Sequence, residues 1–385
     1  MSYHVLYEAC PWHSRAALFD EHGRLLTLRI DDVDRPFREG AIVLGRIRAV
    51  EGSLGGAFVD IGDRTDGFLP FTTLMPEQRD SKLTQGQSLL VRISRAGYLD
   101  KGARLDARVS LKNPPNKLTP PALVQAAPSA LTRAFHDAGS QPVKGWVPNG
   151  ALRPTMAKHL AEANIGQVDA DGDDSWYTRL DTELDTMLTP QPSWPMSGGN
   201  LIVEMTSAVA TIDVNAGPSV SLTRSETVLA ANLAAATEVA RLARLLDLGG
   251  VIIVDFITPP VRGHRHIISE HLEAALSTTD ENFVSLRPMS RHGIVEITRE
   301  RSGPSLTLLM QRPYVVAGRI LLELWRTPAG SLPRVRGRRI RCHPDVASLL
   351  KQRLTSEACL THLGMLVAIE ADPLLPVSRY TIADE

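Results

Sequence analysis

Apolar positions recur with two different periods along the chain, and the places where the period changes divide it into segments. Near the start, HVLYEA, RAALFD and LLTLRI are short β-rich runs. EHGR joins the last two, and Gly23 makes a positive φ cheap there. Residues 1–39 therefore predict a small antiparallel unit. From 40 to 111, GAIVLGRIRAVEGSLGGAFVDIGDRTDGFLPF and QSLLVRISRAGYLDKGARLDARVSL alternate strand-sized runs with glycines. Five short strands with glycine corners predict a small closed barrel of the OB type. Residues 112–128, KNPPNKLTPPALVQAAP, are proline-rich and read as a linker. In 129–195 the runs SALTRAFHDAG, NGALRPTMAKHLAEANI and WYTRLDTELDTML predict helices, and VDADGDDSW an acidic loop. Its aspartate spacing slips from that of a calcium loop and no glutamate closes it, so calcium is rejected.

Residues 196–310 are the most legible. SGGNLIVEMTSAVATIDVN predicts a hairpin. After it, Leu229, Leu233, Ala236, Val239, Ala240, Ala243 and Leu246 recur at helical spacing; Thr223 with Glu226 fits a capping box and Gly249 a stop. VIIVDFI is an almost unbroken apolar run, which predicts a strand in a sheet covered on both faces. Strand, long helix, strand is a crossover unit, so the two strands run parallel. A helix at HIISEHLEAALST and a strand at GIVEITRER follow. Residues 311–385 predict a helix at VVAGRILLELWR, a basic segment RVRGRRIRCH, a helix at DVASLLKQRL and a strand at MLVAIEA. The fold class is α/β multidomain.

Length agrees: 385 residues exceed one compact core and predict two or three domains. The formal charge of -1 does not advertise nucleic-acid binding, but local clustering is what matters. The cysteines, Cys10, Cys342 and Cys359, form no Cys-x-x-Cys pair, so neither a disulfide framework nor a zinc cage is encoded. No basic stretch leads into an apolar core at the start, and no apolar run approaches the roughly 20 residues that cross a bilayer. These features predict a soluble cytoplasmic protein without a membrane partner. No Gly-x-x-x-x-Gly-Lys loop or Rossmann fingerprint is present, which argues against a nucleotide-cofactor enzyme.

The candidate chemistry lies in the crossover unit. Asp213 ends one strand and Asp255 comes near the end of the next. Open α/β sheets bind ligands beyond the carboxyl ends of their strands, and parallel neighbours lie about 4.8 Å apart. Two carboxylates at that spacing repel until a cation joins them. An all-oxygen site with few protein ligands suits Mg²⁺, which takes its remaining ligands from water and substrate phosphate. Asn215, two residues after Asp213, faces the same way and can orient it. The competing account is that Asp213 caps a turn and Asp255 pairs with an arginine.

In the barrel, Phe58 and Phe68 flank DIGDRTD, and Arg46, Arg48, Arg92, Arg95, Lys101 and Arg104 add positive charge. Exposed aromatics framed by cations stack bases and track a phosphate backbone; the alternative is that both rings fill the barrel core. Arg262 and Arg265, just past VDFI, are candidate phosphate contacts. His264, His266 and His271 lack zinc-like spacing. Arg241 and Arg244 predict a solvated helix face. RVRGRRIRCH is either a non-specific RNA contact or an exposed loop. Asp247, at a helix end where the dipole disfavours it, suggests a pairing role.

TIDVNAG, the helix ending RLLDLGG, VIIVDFI and EITRERSGPSL follow one another as in the ribonuclease E/G family, which the chain resembles over almost its whole length. AIVLGRIRAVEGSLGGAFVDIG resembles that family's RNA-binding barrel. LYEACPWHSRAALFDEHGRL and LVAIEADPLLPVSRYTI fit its ends more weakly. The resemblance implies a Mg²⁺-dependent endoribonuclease that acts on single-stranded RNA in rRNA or mRNA processing. It implies that Asp213 and Asp255 hold the metal, that Asn215 supports the first, and that Phe58, Phe68 and Lys101 contact RNA. The implied architecture is an RNase H-like part (1–39 and 129–195) interrupted by the barrel. A deoxyribonuclease I-like catalytic part (196–310) and a small C-terminal domain (311–385) follow.

Two departures are visible. Where the family carries a Cys-Pro-x-Cys zinc link between subunits, this chain reads LTLLMQRPYVVAG; a homodimer through the C-terminal domain, using apolar residues of VVAGRILLELWR, would need no zinc. Fewer than twenty residues lie where the family has its 5′-end sensor, so cleavage independent of the 5′ end is expected. The alternative function is an RNA-binding protein of the same fold that has lost catalysis.

Overall fold

The computed structural model describes residues 2–76, 83–97, 101–111, 118–148, 150–163, 167–168, 175–206, 208–217, 224–326 and 337–384. The chain divides into two compact units, one of residues 1–30 with 130–385, the other of residues 31–129. The fold is mixed α/β.

In the larger unit, three predicted N-terminal strands, Tyr3–Ala9, His13–Phe19 and Leu25–Asp32, lie side by side. The first two pair antiparallel, with Val5 opposite Leu18. On its other edge, Tyr3–Ala9 pairs parallel with Val143–Trp146, which pairs parallel with Gln167–Val168. The sheet therefore joins stretches of chain more than a hundred residues apart. Val5, Ala16 and Leu18 pack under the helix Ala130–Ala138 through Leu131, Ala134 and Phe135.

The second sheet of this unit has six strands. Its order is Ser193–Met196, Gly199–Met205, Val209–Ala216, Gly250–Asp255, Ile294–Arg299 and Phe283–Leu286. The predicted hairpin is present, with Leu201 opposite Val214. The predicted crossover is present too: the helix Arg224–Leu245 leads into a strand parallel to Val209–Ala216. Thr223, half of the expected capping box, lies outside the described residues. VIIVDFI does not lie in a sheet buried on both sides. Ile252 and Val254 are fully buried under the helices, whereas Val251 and Ile253 on the opposite face are half-exposed. An apolar run alone does not tell one covered face from two.

Arg241 and Arg244, expected on a solvated face, are instead structural. Arg241 is buried, grips Glu238 through Nε and Nη2, and donates to the Leu25 carbonyl. Arg244 donates to the Asp137 carbonyl, 2.7 Å away. Arg241 ties the crossover helix to the first sheet and Arg244 ties it to the helix Ala130–Ala138, roles that no local spacing could signal. The pairing suggested for Asp247 is observed. Its backbone is left-handed (φ 50°), and its carboxylate takes 2.6 Å from Arg299, which is buried and also holds Asp280 at 2.6 Å.

The C-terminal part packs the helix Pro313–Arg326 against the strand Gly337–Cys342, which lies between Leu366–Ala371 and Tyr380–Asp384. Val315, Val316, Ile320, Leu321 and Leu324 are buried within the chain, so the apolar face expected to serve a homodimer is already covered. The basic segment is likewise engaged where it is described. Arg338 pairs with Asp384 at 3.0 Å and Arg341 with Asp372 at 2.7 Å; residues 334–336 lie outside the described residues.

The smaller unit contains a closed ring of five strands. Gly56–Asp60, Gly67–Pro70, Arg104–Asp106, Ser88–Arg95 and Ile42–Glu51 pair in that order, and the last pairs back with the first. Its interior is filled by Val43, Ile47, Val59, Ile61, Leu69, Val91, Ile93 and Leu105. This closure is compatible with the predicted OB type. Within the stretch read as a linker, Ala122–Gln125 forms a further strand along Ile42–Leu44. Residues 112–117 are outside the described part.

Candidate active site and nucleic-acid interface

Alternation along Val209–Ala216 turns Ala210, Ile212 and Val214 toward the helices and Thr211, Asp213 and Asn215 away from them. The same rule on Gly250–Asp255 buries Ile252 and Val254 and exposes Asp255. The parallel register then sets Asp213 directly beside Asp255. That pair is the last of the parallel ladder, although the Asp213 strand itself runs on to Ala216 against its hairpin partner. Asp213 is thus the end of the shared ladder rather than of its strand. Ile202 stands opposite Asp213 on one side and Ile294 opposite Asp255 on the other, so the carboxylates share a row with half-buried isoleucines.

Asn215 donates from Nδ2 to Asp213 Oδ2 at 2.9 Å, which fixes the carboxylate and leaves its other oxygen free of that bond. Among the described residues, no cation lies in ion-pairing reach of either carboxylate, so the arginine-paired account of Asp255 is not what the fold builds. Two adjacent carboxylates repel each other, and a divalent cation relieves that. The donors are all oxygen. No cluster of three or more His, Cys, Asp or Glu is gathered for a metal among the described residues. This set fits Mg²⁺, which keeps waters and takes phosphate oxygens, better than a closed structural zinc site. The three histidines do not converge: His266 reaches Glu270 at 3.1 Å and His271 reaches Thr237 at 2.9 Å.

Arg262 and Arg265 lie in the first turn of the helix Arg262–Thr279, beyond the carboxyl end of the Asp255 strand. Val261 caps it without a side-chain bond, so the first turn's N–H groups are not capped by it, and the helix dipole there favours an anion.

Sequence reasoning missed what holds the end of the Asp255 strand. Phe256 donates to the Gly293 carbonyl at 3.1 Å, and Thr258 Oγ donates to the His292 carbonyl at 3.0 Å. Gly293 has φ of 92°, and a Cβ there would stand 2.4 Å from the Phe256 oxygen, so only glycine allows this approach. From the helix side, Asn232, with no exposed surface, bonds both backbone groups of Ile257. A polar residue three positions after Leu229 and four before Ala236, on the apolar stripe, was the available signal.

The barrel carries the second set of candidates. Phe58 and Phe68 are register partners, with ring centroids 5.5 Å apart in an edge-to-face arrangement. Neither belongs to the barrel core; both are partly exposed on its outer face. Gly56 leaves room for the Phe68 ring, since a Cβ there would meet it at 2.4 Å. The cross-strand row continues from Phe68 to Arg104 and from Arg104 to Arg95. Two aromatics and two cations therefore share one strip of barrel surface. Lys101 is exposed, three residues before Arg104, and Arg48 is paired with Asp60.

The sequence pattern of the ribonuclease E/G family matches residues 116–302. A chloroplastic ribonuclease E/G-like protein of Arabidopsis thaliana is 36% identical over 138 residues, covering 35% of this chain and 14% of that protein. Ribonuclease E of Escherichia coli is 25% identical over 391 residues, covering 76% of this chain and 36% of that protein. A putative ribonuclease E of Buchnera aphidicola subsp. Baizongia pistaciae is 23% identical over 385 residues, covering 76% of this chain and 93% of that protein. The chain thus spans about a third or less of the first two of these relatives and nearly all of the last.

Proposed function

We propose that the chain is a member of the ribonuclease E/G family and an endoribonuclease that hydrolyses phosphodiester bonds in single-stranded RNA with Mg²⁺. The observation that carries the reading is the in-register pair Asp213 and Asp255, exposed at the end of the parallel ladder with no cation of the described chain beside it. Asp213 and Asp255 would hold the ion, and Asn215 keeps Asp213 oriented toward it. When bound, Mg²⁺ supplies positive charge against phosphate oxygens and makes a water acidic enough to act as nucleophile near neutral pH. The water oxygen forms a bond to phosphorus while the bond from phosphorus to the 3′-oxygen breaks. One water proton passes to solvent, and the leaving 3′-oxygen takes a proton up. The products are a 5′-phosphate and a 3′-hydroxyl.

The barrel strip suits the same substrate. Unpaired bases can stack on Phe58 and Phe68, while Arg95, Lys101 and Arg104 neutralise phosphates. Arg262 and Arg265 are placed to meet phosphates near the carboxylates. We read the first sheet as RNase H-like because an antiparallel pair is extended by two parallel strands, and the six-stranded sheet as the deoxyribonuclease I-like catalytic part. The expected setting is rRNA or mRNA processing, without dependence on the 5′ end.

The test is cleavage of single-stranded RNA carrying either a 5′-triphosphate or a 5′-monophosphate, with Mg²⁺ or with EDTA, by the wild-type protein and Asp213→Asn. Cleavage that requires Mg²⁺, is lost in the variant and differs less than tenfold between the two ends supports the reading. A tenfold ratio corresponds to about 1.4 kcal/mol of barrier and would sink end independence. RNA that binds but stays intact on both substrates would establish the non-catalytic alternative.

A further inference from the structure

We propose that Asn232 is a positioning residue for Asp255. It stands on the crossover helix Arg224–Leu245 with no exposed surface. Its Nδ2 donates to the Ile257 carbonyl at 2.8 Å, and its Oδ1 accepts from the Ile257 N–H at 3.2 Å. One side-chain amide thus satisfies both backbone groups of one residue, as an antiparallel neighbour does in a hydrogen-bonded strand pair.

The consequence follows from the register. Residues 209–213 pair with 251–255, so continued pairing would bring Ile257 against Asn215. It does not continue. The Asp213 strand goes on to Ala216 with its hairpin partner alone, while Ile257 is taken by Asn232. Capture by the amide ends the parallel ladder at the Asp213–Asp255 pair. Phe256 is held from the opposite side by the Gly293 carbonyl. Asp255 therefore sits at the edge of a clamp made by the Asn232 side chain, by the Thr258 hydroxyl on the His292 carbonyl and by the backbone contact of Phe256 with Gly293, and of these Asn232 alone holds both backbone groups of Ile257. A buried amide in a helix otherwise rich in alanine and leucine costs stability unless both its groups are satisfied, and here both are.

The inference rests on the reading of Asp213 and Asp255 as a metal-holding pair, and its test separates the two. Mn²⁺, a spectroscopic stand-in for Mg²⁺, is titrated into the protein without RNA and followed by electron paramagnetic resonance. The wild type, Asp213→Asn, Asn232→Leu and Asn232→Ala are compared. Asn232→Ala leaves room for a water at Ile257, so it keeps the test open if the leucine variant does not fold. RNA retention in EDTA and thermal melting are read in parallel. The expected result is Mn²⁺ affinity at least tenfold weaker in a folded Asn232 variant, with RNA retention within twofold of wild type and kcat reduced more than KM changes. Affinity within twofold of wild type in a folded Asn232 variant, with Asp213→Asn having lost it, overturns the positioning role alone. Mn²⁺ bound equally by wild type and Asp213→Asn, or by neither, overturns the metal-site reading and this role with it.

Discussion

The chain uses carboxylates in two opposite ways, and the contrast is what singles out the proposed site. Around Arg299, two aspartates meet one buried guanidinium at 2.6 Å each. Around Arg15 and Arg326, Glu8 is almost wholly buried; burial pushes its carboxyl up, but the two arginines outweigh that and hold it below the ordinary glutamate range. These charges are neutralised inside the fold. At the end of the parallel ladder, Asp213 and Asp255 stand together with an amide as the one described side-chain partner. Acidic pairs that the protein neutralises for itself are structural. A pair left for something else to neutralise is what the proposed metal site requires.

Substitutions sharpen that contrast. The largest effect is expected for Arg299→Ala, which strips the partner from buried Asp280 and from Asp247. Removing one side of a buried pair costs about 3–5 kcal/mol, so urea unfolding should shift by that amount, and an unchanged midpoint would break the structural half of the comparison. Asp255→Asn should do the reverse. It should cut kcat/KM at least about a hundredfold, about 3 kcal/mol of barrier, with the unfolding midpoint near wild type because Asp255 has no ion-pair partner among the described residues to lose. A strongly destabilised variant would place Asp255 with the structural carboxylates. Phe68→Ala should weaken single-stranded RNA retention by ~1–3 kcal/mol, measured in EDTA, while stability holds because the ring is outside the barrel core; a loss of folding with RNA retention intact would return the ring to a packing role.

The smallest effect concerns Glu183, an intermediate case. Burial, then neighbouring Glu238, raise its carboxyl pKa against the pull of Arg241. The folded chain thus holds this proton more tightly than the unfolded one, so its contribution to stability is present below the ordinary glutamate value and declines as pH rises through the folded value. Glu183→Gln should therefore gain thermal stability relative to wild type as pH rises from 4 to 8, and a difference that stays constant across that range would show that Glu183 is not the group responsible.

Much of the site was legible in the sequence because it is local. TIDVN places Asp213 and Asn215 two residues apart on a strand, and the Asn215 bond to Asp213 needs nothing more. The crossover unit was legible because its long helix repeats apolar positions at 3.6 and the flanking strands do not. Arg241 and the helix Pro313–Arg326 were misread for one shared reason. Their surroundings come from residues far along the chain: Leu25 for Arg241, and Ile340, Val346 and Leu350 for the helix. Spacing shows which residues share a face, but not what that face meets.

By itself, then, the sequence determined the crossover unit, the glycine-cornered barrel and which side chains stand together on each strand, all consequences of short-range periodicity. The tertiary structure alone decided that Asp213 lies in register with Asp255, that Phe58 and Phe68 face outward, and that Asn232 stops the ladder where it does. Register and burial depend on partners brought together from distant parts of the chain, and no local pattern encodes them.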